Sequence, residues 1–298
     1  MKKSMFTGFS GALRERGISG AVRYAKSLGF DAVEPSPCDA IDTVAKAEEL
    51  KRVLADEGMF TACFSLCVTL SGDEGKAVVE RLKREADIAR ACGSPFLHHT
   101  LVAGLSPAPI GMPSFERVFD EVVTRAGEVA DYCKRIGIKC LYEDQGFLFN
   151  GVERFSKFLD AMNHDNIGVC FDFGNIFFAG ETPQRFIGAF SNRVMHVHIK
   201  DYLYKSGSMP HPGEGWLTTR DGDFLRDTIP GHGIVDFVPC FRILQKAGYK
   251  GVYSFEFGGP EPYELGTKRA MENMEYYYEL ARSTAQRKID RINLPGVD

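Results

Sequence analysis

The chain reads as an α/β protein, one closed barrel of eight parallel strands each followed by a helix, and three observations predict this. Short apolar runs alternate with longer amphipathic stretches from end to end. Eight such runs occur in 298 residues, a length that suits a single (β/α)8 domain. Gly8-Phe-Ser-Gly11, which follows the first run, lacks the G-x-G-x-x-G spacing expected of an open dinucleotide-binding sheet. The expectation is therefore one TIM barrel over residues 1–298.

The strands are expected at Met5–Phe9, Ala32–Glu34, Phe60–Leu66, Phe96–His99, Lys139–Glu143, Ile167–Asp172, Arg193–His198 and Val252–Glu256. Between them, apolar residues recur three and four apart, as in Ala21, Val22, Tyr24, Ala25 and Leu28, which is the helical period. Gly29, Gly137 and Gly248 each stand where such a helix should stop before the next strand. Roughly thirty residues, 201–233, separate the seventh strand from its helix. A connection of that length is expected to cover the site as an active-site loop. The eighth helix is expected from Glu264 to about Ile289, with residues 286–298 as a C-terminal extension ending in the tail Asn293–Asp298.

Composition narrows the partners. Hydrophobic residues make up 44% and charged residues 26%, as in an ordinary globular protein. The net charge of −4 gives no basic field for nucleic acid, and no run approaches the ~18 apolar residues of a membrane span. The first ten residues carry no sustained apolar segment of a signal peptide, so a cytoplasmic location is expected. The eight cysteines lack paired C-x-x-C spacing and read mostly as buried free thiols. Cys67, near the exit of the third strand, is a weak candidate for lining a pocket. A small polar metabolite is the partner that fits.

Four runs close on a polar residue: Glu143, Asp172, His198 and Glu256. An ionised carboxylate at a buried strand end costs several kcal/mol unless a cation or hydrogen bonds offset it. Four such costs at equivalent strand exits, on the face where barrels carry their active sites, point to one bound divalent metal. Three oxygens and one nitrogen suit Mn²⁺ first, then Mg²⁺ or Co²⁺, better than structural Zn²⁺. Strands five to eight are consecutive, so Glu143 and Glu256 lie at opposite ends of an arc and flank whatever sits on the metal.

Residues two apart on a strand share a face, so His196 and Lys200 point the same way as His198. His198 is taken as the ligand, His196 as a core or supporting residue, and Lys200 as a contact to developing negative charge. Glu34 either bonds a substrate hydroxyl or orients neighbouring side chains. Of His98 and His99, alternation sends only one inward. His232, between two glycines before the seventh helix, is a further candidate ligand contact, whereas His164 and His211 read as exposed. Among Phe147, Phe149, Phe177, Phe178, Tyr202, Tyr204 and Trp216, one or two are expected to wall a sugar face. Gly258-Gly259 either admits a phosphate or makes a turn.

At these residues the sequence resembles the sugar phosphate isomerase/epimerase family of xylose-isomerase-like barrels, which includes ketose 3-epimerases, hydroxypyruvate isomerase and inosose dehydratase. The resemblance runs from Gly29-Phe-Asp-Ala-Val-Glu34 through Tyr142-Glu143, Phe171-Asp-Phe-Gly-Asn175, His196-Val-His-Ile-Lys-Asp201 and Gly231-His-Gly-Ile-Val-Asp-Phe237 to Phe255-Glu256. It implies a metal quartet of Glu143, Asp172, His198 and Glu256, with both glutamates also serving as acid and base. It implies a homo-oligomer, a dimer or tetramer, and places Asn175 where many relatives have histidine. Phe149 and Tyr204 stand where ketose 3-epimerases usually carry glutamate and arginine, which argues against a simple ketohexose epimerase.

The activity expected is proton abstraction next to a carbonyl of a sugar, sugar phosphate or keto-polyol, through an enediolate stabilised by the metal. Return of the proton gives epimerisation or isomerisation, and loss of a β-hydroxyl gives the dehydratase alternative. A metal-dependent endonuclease is disfavoured by the acidic charge and by Leu66-Cys67 at the third strand's exit. A non-catalytic sugar-binding barrel would not require two opposed carboxylates.

Overall fold

The computed structural model describes residues 1–105 and 113–292, with side chains described up to residue 283. Among the described residues, eight α-helices surround one parallel sheet with strand order β3-β2-β1-β12-β8-β7-β6-β5-β4. Its strands are β1 (Lys2–Met5), β2 (Ala32–Val33), β3 (Phe60–Thr61), β4 (Phe64–Leu66), β5 (Phe96–His99), β6 (Lys139–Glu143), β7 (Ile167–Asp172), β8 (Val194–Ile199) and β12 (Val252–Phe255). β3 and β4 are two pieces of the expected third strand, interrupted at Ala62–Cys63. The chain closes the barrel across that break. Ala62 donates its N–H to Val33 O (2.9 Å) and Ser65 to Pro35 O (3.1 Å) on one side, and Thr100 donates to Leu66 O (3.3 Å) on the other.

The first strand differs from the expected Met5–Phe9. It begins at Lys2, and Phe9 instead opens α1 (Phe9–Ser27). Phe9, Ala12 and Leu13, spaced three and four apart, are all buried, so the apolar residues after Met5 serve a helical face rather than a strand. The glycines expected to end helices do so: Gly29, Gly137 and Gly248 have φ of 91°, 78° and 77°, the left-handed conformation that stops a helix without a Cβ clash. α8 runs from Tyr263 to Ile292, so residues 286–292 continue the helix, and the tail 293–298 lies outside the described residues.

The long connection after β8 is a small antiparallel sheet of β9 (Tyr202–Lys205), β11 (Phe224–Asp227) and β10 (Leu217–Thr218). Its base is clasped by the carboxylate of Asp201, which accepts N–H bonds from Gly231 (2.9 Å), Gly233 (2.8 Å) and Val235 (3.1 Å). Its far end leans on the loop after β6, where Arg220 donates to the carbonyls of Phe147 (2.6 Å) and Asn150 (3.1 Å). Phe178, Tyr202 and Leu225 fill the space beneath. Among the described residues no helix is long and apolar enough to cross a membrane.

Candidate metal and substrate site

The strand register brings the four strand-end residues together. Glu143 pairs with Cys170, Asp172 with His198, and His198 with Ser254, so the side chains lie at nearly one level of the barrel. One ligand atom from each of Glu143, Asp172, His198 and Glu256 lies within 4.8 Å of the others. His198 Nδ1 is 2.6 Å from Glu143 Oε1 and 3.5 Å from Glu256 Oε2. Asp172 uses Oδ1 to accept from the N–H groups of Gly174 (2.6 Å) and Asn175 (2.7 Å), which leaves its buried Oδ2 without a partner. An unpartnered carboxylate oxygen, two further carboxylates and one imidazole nitrogen facing one point can hold a divalent cation.

Protonation fits the same reading. Burial, and the negative charge of Glu143 and Glu256, push Asp172 well above the ordinary carboxylate range. Burial also raises Glu143, against the opposing pull of His198. For His198 burial works downward, yet Cys170, Glu34 and Glu143 together lift it well above its usual value. Without a cation these groups retain protons where a metal would otherwise balance the charge.

Behind the quartet lies Glu34, fully buried at the exit of β2. Its Oε1 accepts from His198 Nε2 (3.0 Å) and from the Ser65 hydroxyl, and its Oε2 from His196 Nε2 (2.7 Å). Burial alone would raise this acid, but the two histidines hold it well below its ordinary value. Since Nε2 of His198 donates to Glu34, Nδ1 is turned toward Glu143 and Glu256. This is the carboxylate–histidine arrangement that orients a metal-binding ring. Both oxygens of Glu34 are engaged by these side chains, an arrangement that fits its orienting reading.

The quartet opens into a cavity of about 180 Å³ lined by Phe6, Ser36, Ser65, Leu66, Cys67, His98, Thr100, Glu143, Gln145, His198 and Glu256. Larger hollows lie elsewhere, such as one of about 510 Å³ lined by Asp42, Arg84 and Asp87, but it includes none of the four strand-end residues and no histidine. Lys200 Nζ donates to Glu256 Oε1 (2.5 Å), so it engages the glutamate and does not itself line the cavity. His98 reaches the cavity. His99 points the other way, its Nδ1 bonded to Thr100 O (3.0 Å) and its ring against Tyr142, so it is not a substrate contact.

Four other expected groups stand off the cavity wall. Asn175 is buried, and its side-chain oxygen accepts from the Tyr202 hydroxyl (2.9 Å), which keeps it off the cavity wall. His232 is exposed, because Asp201 holds the flanking Gly231 and Gly233 and turns the ring outward. Asp227 of the excursion lies close enough to Lys200 and Glu256 to feel their charges, yet none of residues 201–233 lines the cavity itself. Nor do the seven aromatics. Phe149 is packed among Phe115, Phe119 and Phe158, and the ring actually facing the site is Phe6, 4.9 Å from His198.

Phe6, Ser36, Ser65, Thr100 and Gln145 were not anticipated. Ser65 and Gln145 had a readable signal, since each sits two residues from a position already considered, Cys67 and Glu143, and so shares its face. Gly258 comes close to Asp227, whose Oδ2 would lie 3.0 Å from an added Cβ. Burial raises Asp227 to about 6.

A closed parallel barrel with three carboxylates and one imidazole converging at its strand exits defines a class, the barrels with a single-metal site at the mouth. The profile of the xylose isomerase-like TIM barrel family matches residues 22–279, and the chain belongs to that family. An inosose dehydratase of Lacticaseibacillus casei is 24% identical over 138 residues, 45% of each chain. One from Geobacillus thermodenitrificans (strain NG80-2) is 23% identical over 217 residues, 70% of this chain and 72% of that one. The chain thus spans less than half the length of the first of these relatives. The structure of an L-ribulose 3-epimerase superposes with a TM-score of 0.75 at 19% identity, covering 100% of both chains, which establishes the shared fold.

Proposed function

We propose that this protein is a divalent-metal-dependent isomerase or epimerase of a sugar or keto-polyol, acting by proton transfer beside a carbonyl. The observation that carries the reading is the quartet itself, with two glutamates flanking His198 and an Asp172 oxygen left without a partner. The donor set favours Mn²⁺, with Mg²⁺ or Co²⁺ as alternatives. When bound, the metal would supply Lewis-acid polarisation of the substrate carbonyl.

The rest is work for the chain's own groups. Lys200 holds Oε1 of Glu256 and leaves Oε2 on the quartet side, 3.5 Å from His198 Nδ1, a geometry suited to removing a proton from a carbon held at the quartet. Glu143 stands on the other side of His198 from Glu256, a position suited to exchanging a proton with the substrate from the opposite side. Phe6 and Leu66 keep bulk water from the reacting carbon. The carboxyl of Asp227 beside Gly258 favours an unphosphorylated substrate. The inosose dehydratases among the relatives favour a second reading, loss of a β-hydroxyl as water from a keto-inositol at the same residues.

The test is incubation of the Mn²⁺-loaded protein in D₂O with a panel of ketohexoses and 2-keto-myo-inositol, followed by NMR. Deuterium at the carbon beside the carbonyl, with a new stereoisomer or positional isomer, supports the first reading. Stoichiometric loss of water from the keto-inositol selects the second. Neither exchange nor elimination with any member would sink both.

A further inference from the structure

Two groups in the cavity have no part in the quartet and no partner of their own. His98 is 4% exposed, and its Nε2 bonds nothing; the nearest carboxylate oxygen, Glu143 Oε2, is 3.7 Å away, beyond hydrogen-bonding range. The buried Oε1 of Gln145 is likewise unpartnered. Both residues line the same cavity as the reacting glutamates. A buried acceptor without a donor is costly, so two of them in one small cavity indicate a ligand that brings donors.

The direction of the hydrogen bonds explains why His98 Nε2 is an acceptor. Glu34 already receives bonds from His196 and His198, and Ser65 spends its single proton on Glu34 Oε1. The Ser65 oxygen, 3.1 Å from His98 Nδ1, therefore has only lone pairs to offer. Nδ1 must be the nitrogen that carries hydrogen, which leaves Nε2 bare toward the cavity. One buried carboxylate thus sets two rings at once, so that His198 turns Nδ1 to the quartet and His98 turns bare Nε2 to the space beside it.

We infer that His98 Nε2 and Gln145 Oε1 form a hydroxyl-recognition subsite, accepting hydrogen bonds from ring or chain hydroxyls of a neutral polyol that do not reach the quartet. This rests on the proposed sugar or keto-polyol chemistry and names the part of the substrate that chemistry leaves free. Nearby Ser36 adds a hydroxyl group to the same wall, whereas the Thr100 hydroxyl is held by the Val68 backbone. A subsite of acceptors and hydroxyls selects neutral donors over carboxylates and phosphates, which would meet lone pairs rather than N–H groups. It also rejects a deoxy analogue, because the acceptor opposite the missing hydroxyl stays unpaired.

The experiment uses the metal-loaded protein and myo-inositol, which has the hydroxyls but no carbonyl to react, with binding followed by calorimetry and bound metal counted by mass spectrometry. His98→Ala and Gln145→Ala should each weaken myo-inositol binding roughly 10-fold or more while keeping the wild-type metal content. His98→Gln, which restores an amide oxygen on a shorter reach, should recover part of the loss. A monodeoxy-inositol should bind the wild type less well than myo-inositol, whereas one of the two alanine variants should no longer tell them apart. Unchanged affinity in both alanine variants overturns the subsite, as does loss of metal from His98→Ala, which would make that histidine a metal ligand. If the wild type turns over a keto-polyol while those variants bind as it does, only this inference fails. If the wild type neither binds nor turns over any polyol, the proposed function fails with it.

Discussion

The two halves of the barrel mouth are built from different chemistry. β6, β7, β8 and β12 deliver Glu143, Asp172, His198, Lys200 and Glu256, a crowded set of charges at the strand exits. β1, β4 and β5, with the loops beside them, contribute Phe6, Ser36, Ser65, Leu66, Cys67, His98 and Thr100, without a formal charge on the cavity wall. The one carboxylate on that side, Glu34, lies beneath the wall with both oxygens occupied. Crowded carboxylates repel one another and pull in a cation, so the charged half is incomplete without a ligand. The neutral half is nearly satisfied and asks only for hydroxyl donors. The neutral wall thus faces the charged set across one cavity, with Gln145, from the loop after β6, the proposed recognition group on the charged side.

The division can be broken most severely on the charged side. Glu256→Gln removes a carboxylate from the quartet without changing its size, and should lower deuterium exchange at the substrate carbon by roughly 10²- to 10⁴-fold while circular dichroism stays native. Full exchange by that variant would remove Glu256 from its role as base.

A smaller effect is expected where the two halves meet. Glu34→Gln leaves all four candidate ligands in place but weakens the acceptor for His198 Nε2, and metal affinity should fall about 10- to 100-fold. Titration of Mn²⁺ by electron paramagnetic resonance would show it. Unaltered affinity would mean that the ring is held by packing alone, for instance by Phe6.

The smallest expected effect is on pH-dependent stability. Glu143, Asp172 and His198 all have folded-state values above their unfolded ones. Such groups stabilise the metal-free fold at pH below their unfolded values, near 4 for the acids and 6.5 for the histidine, and that contribution fades as pH rises through the raised values. A bound cation replaces those protons. The difference in Tm between metal-loaded and chelator-treated protein should therefore widen by a few degrees from pH 5 to pH 8, and a gap that narrowed would contradict the assignment of these groups.

What the sequence revealed follows the same division. Glu143, Asp172, His198 and Glu256 were legible because a charge closing an apolar run violates the burial rule and asks for an explanation. Ser36, Ser65 and Phe6 break no such rule; a serine or phenylalanine at a strand end is ordinary, and only the three-dimensional convergence gives it meaning. The eight-strand alternation and the glycine stops were equally plain. The start of β1 was misplaced because Met5, Phe6 and Phe9 suit a strand and a helix equally well in so short a run. The antiparallel sheet within 201–233 was hidden by its two- to four-residue strands, which carry too little periodicity to register.

The Asp201 clasp has a further consequence, for how the molecule tolerates change. Because this carboxylate ties Gly231, Gly233 and Val235 back to the end of β8, the excursion between them leaves and re-enters the barrel at almost one point. Tyr202 and Ile234 reinforce the junction through a backbone bond of 2.9 Å. With its ends fixed, a segment can lengthen at an entropic cost that rises only logarithmically, about 0.6 kcal/mol per doubling. The excursion is therefore a natural cassette. Its interior can be shortened, extended or exchanged for another folded insert while the barrel beneath keeps its register.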